Sequence, residues 1–343
     1  MNRRLLAIND LETIHWNVGE HIFFQEQTLI ERIKCEADII DIVWIYNPSS
    51  PAFGKTGVTK DNYHYYLSKL LPIAQINIYL GSFTLTDSLG VLGAERYEHV
   101  FPSLDIVKAK EKIFKWPIIK DFYDNHRFIP YISCKEGMLL WARSFFELRG
   151  IIFPVVVHLR RSERNSRRNS NFDVWMKFFI FCCSKKKWRH VTFVIIGTRQ
   201  EIDPRLRRIG NVIFAKDYNT TIEQDCALIQ SSLMFMGGPN GPGSFPVCGN
   251  IPYLFFNYSM PSQKNLDFQF IKDSPTSDYQ WPWHTSLQKL IWVPETIDSL
   301  IEEFGHLVSN VDFSEWRKKH AEKYIEPNFP KLKRMHRQKP DDW

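Results

Sequence analysis

The chain has 343 residues, enough for two domains that share a cleft and each bury a core of their own. Its 44 Lys and Arg against 38 Asp and Glu leave a net charge of +6, compatible with anionic ligands but too small to require nucleic acid. A hydrophobic fraction of 44% with 26 Phe and 11 Trp excludes general disorder, and six cysteines without a CxxC pair read as reduced core thiols, with no disulfide frame and no zinc site.

In chain order, Leu5 to Ile8 is a short strand and Glu20 to Ile33 an apolar-periodic helix. Ile39 to Tyr46 (IIDIVWIY) is a β-branched strand closed by Asn47-Pro48-Ser49-Ser50-Pro51. Tyr63 to Leu71 predicts a helix, Ile76 to Leu80 a strand ending at Gly81, and Ile129 to Ile132 another strand. Asp87 to Asn125 has no clear pattern. Glu136 to Leu148 is a helix with Met138, Ala142, Phe145 and Phe146 on one face, stopped by Gly150.

From Ile151 the pattern sharpens. IIFPVVVHL is a continuous apolar strand of the kind buried on both faces of a parallel sheet. Ser170 and Asp173 form a capping box for a helix with Phe172, Trp175, Met176, Phe179, Ile180 and Cys183 in register. Val191 to Ile196, Asn211 to Ala215, Leu233 to Met236 and Tyr253 to Phe256 are further strands, with a helix from Thr221 to Ser231 and a short one starting at Ser244. Strand and helix alternate, which predicts a doubly wound parallel sheet. Apolar spacing from Ile297 to Val308 marks an amphipathic helix, and Ser314 to Tyr324 a last one.

Ligands of such sheets bind at the carboxyl ends of the strands. Here those ends carry His158, Arg160 and Arg161; Gly197, Thr198 and Arg199; Lys216, Asp217 and Tyr218; the loop Gly237 to Ser244 (GGPNGPGS); then Asn257 and Tyr258. Arginine forks match phosphate oxygens, and Gly241, Gly243 and the N–H groups at Ser244 offer a backbone cradle for an anion. The loop departs from the P-loop, with Ser244 where the lysine belongs, and from GxGxxG, with Pro246 at the third glycine. Plain alternatives stand beside these readings. The loop serves as a simple turn, His158 as a core histidine, and Arg164, Arg167 and Arg168 as part of a solvated charge run.

The HxRR strand end, the following strand with its small polar turn, the helix IEQDCALIQSS and the Gly/Ser loop together resemble the C-terminal half of GT-B glycosyltransferases. The likeness is to core-type and Nod-factor fucosyltransferases and to bacterial heptosyltransferases and related surface-polysaccharide enzymes, over about residues 151–257. It implies two Rossmann-like α/β domains facing a cleft: 1–149 on the acceptor side, 150–310 binding the nucleotide sugar, and 311–343 as a helix crossing back plus a basic tail. It implies transfer of a sugar from a nucleotide-diphosphate sugar to a carbohydrate or lipid-linked acceptor, with Arg160 or Arg161 on the donor diphosphate. The acidic residue that commonly follows the arginine pair is displaced here to Glu163.

The resemblance also places the catalytic base in the first domain, where a carboxylate or imidazole near the first strand's end would take the acceptor proton. Asp10, His15 and Glu20 are the candidates, with Asp10 as a turn residue and Glu20 as a helix-dipole acid the plain alternatives. No DxD pair stands at a strand end, so no cofactor and no metal are expected, arginines and helix starts supplying the positive charge. An epimerase of the same fold and a Rossmann-like nucleic-acid binder are the other classes the sequence leaves open. MNRRLLAINDLE lacks a signal-peptide core and the apolar run Val174 to Cys183 is too short to span, which predicts a cytoplasmic protein. Lys331, Lys333, Arg334, Arg337 and Lys339 would allow peripheral contact with an anionic membrane, or are solvated chain.

Overall fold

The computed structural model describes residues 3–47, 49, 58–91, 93–113, 115–162, 168–258 and 279–311. The first apolar run becomes β1 (Arg4–Asp10), buried over all but its first residue. It is followed by α1 (Val18–Lys34), β2 (Ile39–Ile45), α2 (Tyr63–Ala74), β3 (Leu80–Thr86), β4 (His99–Phe101), α3 (Leu104–Lys108), α4 (Lys115–His126) and α5 (Glu136–Glu147). The four strands form one parallel sheet in the order β3-β2-β1-β4.

Two expectations fail in this half. Ile76 to Leu80 lies before the strand except for Leu80, its first residue, because β3 is an exposed edge whose polar residues (LGSFTLT) hide its pattern. Ile129 to Ile132 joins no strand; the Ile132 N–H donates instead to the Cys248 carbonyl (3.0 Å).

The second sheet is parallel in the order β10-β9-β8-β5-β6-β7. Its elements run β5 (Phe153–His158), α6 (Phe172–Ser184), β6 (Val191–Ile196), β7 (Val212–Phe214), α7 (Ile222–Gln230), β8 (Met234–Gly237), α8 (Ser244–Val247), β9 (Tyr253–Phe255), β10 (Gln288–Leu290) and α9 (Ile297–Asn310). Alternation on β5 shows why its sequence is apolar throughout. Val155 and Val157 pack with Trp175, Phe178 and Phe304 of α6 and α9, while Val156 points to the opposite core. The helix start at α6 differs from expectation: Asn171 accepts the Val174 N–H (3.3 Å), and Ser170 is engaged elsewhere. The final helix and basic tail expected after residue 311 lie outside the described residues, as do Glu163, Arg164 and Arg167.

The two sheets share one core between them, beside an outer cluster on each. One cluster runs from Leu5 and Trp44 through Phe24 and Trp116 to Val156, Phe235 and Trp281. Trp116 of α4 stacks on Trp281 with ring centroids 4.6 Å apart, and Trp281 stacks on Trp283 at 5.4 Å. α1 packs on α8, and α5 on α7. Among the described residues no helix is long and apolar enough to cross a membrane.

Candidate active site

A cavity of about 370 Å³ opens where the strand ends of the second sheet meet the start of α1, a size in the range of small-ligand sites. β5 delivers its second-domain wall. His158 and Leu159 are buried at the strand end, and the next residue, Arg160, lines the cavity. One residue on, the side-chain alternation sends Arg161 away, exposed, with its guanidinium 5.9 Å from the Phe172 ring. Arg168 also lines the cavity. Ser170 returns the chain to Arg160, its Oγ accepting the Arg160 N–H (3.1 Å) and its own N–H donating to the Arg160 carbonyl (3.0 Å). That latch brings Arg168 over the glycine loop, where Nη2 donates to the Pro239 carbonyl (2.7 Å). Arg160 Nε is buried without a partner among the described residues. Burial and then the Arg168 charge disfavour its protonated form, while Glu201 favours it.

The glycine loop is not the open cradle expected from its sequence. Gly243 N–H donates to Asn240 Oδ1 (2.7 Å), Ser244 N–H to the Gly241 carbonyl (3.1 Å) and Phe245 N–H to the Pro242 carbonyl (3.1 Å). A single-turn helix thus spends its first donors on its own loop. Gly241, Gly243 and Ser244 do line the cavity beside Arg160, as expected, and the glycines also serve close packing. A Cβ on Gly241 would meet Val18 Cβ at 2.8 Å, and one on Gly243 would lie 2.5 Å from the Phe255 ring. At Gly237 (φ +154°) a Cβ would sit 2.4 Å from the His158 carbonyl oxygen. From the other side, a Cβ on Gly19 would approach Ser244 Oγ to 2.9 Å, so the two domains touch here through paired glycines.

The first-domain wall is the N-terminal turn of α1 and the start of α4. Asn17 caps α1 by accepting the Glu20 N–H (3.0 Å), which fixes Glu20 at the cavity. Lys115 Nζ lies 3.0 Å from Glu20 Oε1, with the Phe23 and Trp116 ring centroids 4.2 and 4.9 Å away. Of the three base candidates, only Glu20 reaches this cavity. Asp10 is buried, its Oδ2 2.7 Å from Lys110 Nζ and its Oδ1 accepting the Glu12 N–H (3.0 Å), and it lines a separate first-domain pocket of about 40 Å³. His15 is exposed and lines neither.

The remaining candidates are engaged elsewhere. His158 Nε2 lies 3.6 Å from Glu201 Oε2, below the cavity wall. Burial would raise the Glu201 carboxyl, but His158 and the Thr198 hydrogen bonds hold it at about 2. Thr198 caps the short turn that carries Glu201. Arg199 donates to the Lys216 carbonyl (3.1 Å) and Asn219 Oδ1 (2.7 Å), Asp217 pairs with Arg207, and Tyr218 stacks under Arg149 at 3.7 Å. These four follow their strands as expected, yet their side chains bind the protein's own surface. Sequence reading missed Lys115 and Trp116 at the cavity and left Arg168 open between a ligand role and a solvated loop, while Tyr258 follows its strand end as expected and lines the cavity with them.

No protein-family model matches the chain, and no curated protein matches it in sequence. Among solved structures, the ADP-heptose LPS heptosyltransferase II of E. coli superposes with a TM-score of 0.53 at 12% identity, covering 89% of this chain and 98% of that one. A glycosyl transferase family 9 protein from Veillonella parvula DSM 2008 gives 0.52 at 9% identity, covering 90% of each chain. With two parallel-sheet domains meeting at a cavity between the second sheet's strand ends and the starts of α1 and α4, this chain has the α/β fold of the GT-B glycosyltransferases.

Proposed function

We propose that this protein is a glycosyltransferase that moves a sugar from a nucleotide-diphosphate sugar to a carbohydrate or lipid-linked acceptor. The observation that carries the reading is one cavity holding Arg160 and Arg168 on one domain and the Glu20 carboxylate on the other. Two guanidiniums without a carboxylate partner among the described residues suit a diphosphate, which they bind with charge-assisted hydrogen bonds. As the glycosyl–oxygen bond to the diphosphate breaks, the leaving group takes the electron pair and gains negative charge, which the same arginines stabilise without a metal. Glu20 accepts the hydroxyl proton of the acceptor as its oxygen bonds to the sugar. A role in surface glycan synthesis follows from the fold neighbours' printed activities and belongs to this proposal.

The test is a thermal-shift and product screen with ADP-, GDP-, UDP- and CDP-sugars, with and without EDTA. A melting shift that grows with one nucleotide and survives EDTA supports the reading. The absence of any shift at millimolar nucleotide overturns it.

A further inference from the structure

Lys115 has no part in the reading above, yet it is the most tightly held cation on the cavity. Its side chain is only 15% exposed, and it is fixed from three directions: Glu20 Oε1 at 3.0 Å, the Phe23 ring at 4.2 Å and the Trp116 ring at 4.9 Å. Both rings are themselves locked, edge to face on each other with Trp116 stacked on Trp281. Glu20 is tethered at its backbone by Asn17. Glu20 and Lys115 line both the interdomain cavity and the smaller first-domain pocket, so the pair stands as the partition between them. Only one carboxylate oxygen is used: Oε1 takes the ammonium, and Oε2 has no hydrogen-bond partner among the described residues.

We propose that Lys115 is the positioning residue for the base, clamping Glu20 by Oε1 so that Oε2 alone is presented to the acceptor hydroxyl. This rests on the glycosyltransferase reading, with Glu20 as the base. A carboxylate on a flexible side chain loses rate by sampling unproductive rotamers, and a second group that fixes it restores near-attack geometry. The aromatic rings hold the lysine in turn by cation–π attraction. The proton passes from the acceptor hydroxyl to Oε2, the acceptor oxygen forms the new bond to the sugar, and the nucleoside diphosphate departs with the electrons of the broken bond.

The test compares Lys115→Met, Lys115→Arg and Glu20→Gln with wild type, using the nucleotide sugar of the screen that gives the largest shift and following nucleoside diphosphate release with water as the acceptor. Lys115→Met is expected to keep the wild-type nucleotide shift and KM but lose at least tenfold in kcat. Lys115→Arg is expected to recover most of the rate. Glu20→Gln should lose more rate than Lys115→Met. A Lys115→Met protein with wild-type kcat overturns the positioning role while leaving the glycosyltransferase reading standing. A wild type without any nucleotide shift overturns both.

Discussion

Lys110 and Lys115, on the first-domain side, each stand against carboxylates: Lys110 at 2.7 Å from Asp10 and 3.1 Å from Glu12, Lys115 at 3.0 Å from Glu20. Across the cavity, Arg160 and Arg168 have no carboxylate at ion-pair distance among the described residues; Arg168 holds only a loop carbonyl, and Arg160 Nε is buried bare. The same charge is thus used in two ways. Where a cation is matched inside the protein, it fixes a side chain. Where it is left unmatched beside a cavity, the proposed diphosphate would supply the partner that repays its desolvation.

Arg160→Ala tests the unmatched side most strongly. Losing a charge-assisted contact to phosphate should weaken nucleotide binding by about 1.5–3 kcal/mol, on the order of ten- to a hundredfold, as read by titration calorimetry. Arg161→Ala, which removes a side chain turned away from the cavity, serves as the control and should bind as wild type. Equal losses in both would erase the distinction drawn between the two arginines.

Gly241→Ala probes the seam where the walls touch. Its Cβ would meet Val18 Cβ at 2.8 Å and the Gly19 nitrogen at 3.3 Å, backbone and branched carbon that yield little. Overpacking of this kind costs about 1–3 kcal/mol, so the nucleotide-free protein should melt early. An unchanged melting temperature combined with a lost nucleotide shift would return the glycine to ligand contact.

Glu26 is the exception on the matched side. It lies fully buried on α1, neither oxygen has a hydrogen-bond partner among the described residues, and burial pushes its carboxyl well above the usual range. The unfolded chain releases this proton near pH 4.5 and the folded chain only at higher pH. In that window the folded state binds more protons, so its stability falls as pH rises, by about 1.4 kcal/mol per pH unit. Glu26→Gln, neutral throughout, should escape the decline. Its advantage over wild type in urea melts should open above about pH 4.5 and widen; a difference constant across about pH 4–8 would remove Glu26 from the account.

The smallest effect is expected at Asp217, whose hydrogen bond to Arg207 holds its carboxyl below the usual range on an open surface. Asp217→Asn should change stability by no more than about 1 kcal/mol and leave nucleotide affinity untouched. A tenfold loss of affinity would place it back at the site.

These contrasts also explain what the sequence could convey. Strands β5 to β9 were readable because a strand buried on both faces is apolar without interruption, as in Pro154–Val157. β3 and β10 were not: both are edge strands whose polar residues (LGSFTLT and QKL) break the apolar pattern. Arg160 could be found because it stands one step beyond the buried strand end. Arg161 looked equivalent, since nothing in a dipeptide says which of two neighbours the pleat turns inward. Arg168 and Lys115 reach the cavity through tertiary returns, the Ser170 latch and the packing of α4 on α1, which leave no trace in local spacing. Thr198, Arg199, Asp217 and Tyr218 were placed at strand ends correctly, but position on an edge does not disclose a side chain's partner.

The stacked indoles have an optical consequence. Trp116 comes from the first domain, Trp281 and Trp283 from the second, and rings at 4.6 and 5.4 Å with planes inclined by 26° and 14° couple their electronic transitions. The near-ultraviolet circular dichroism of the folded chain should therefore contain a couplet whose size depends on the spacing between the domains. Rocking one domain by a few ångströms would change that signal before any backbone spectrum moved. The protein carries its own unlabelled gauge of how far its two halves stand apart.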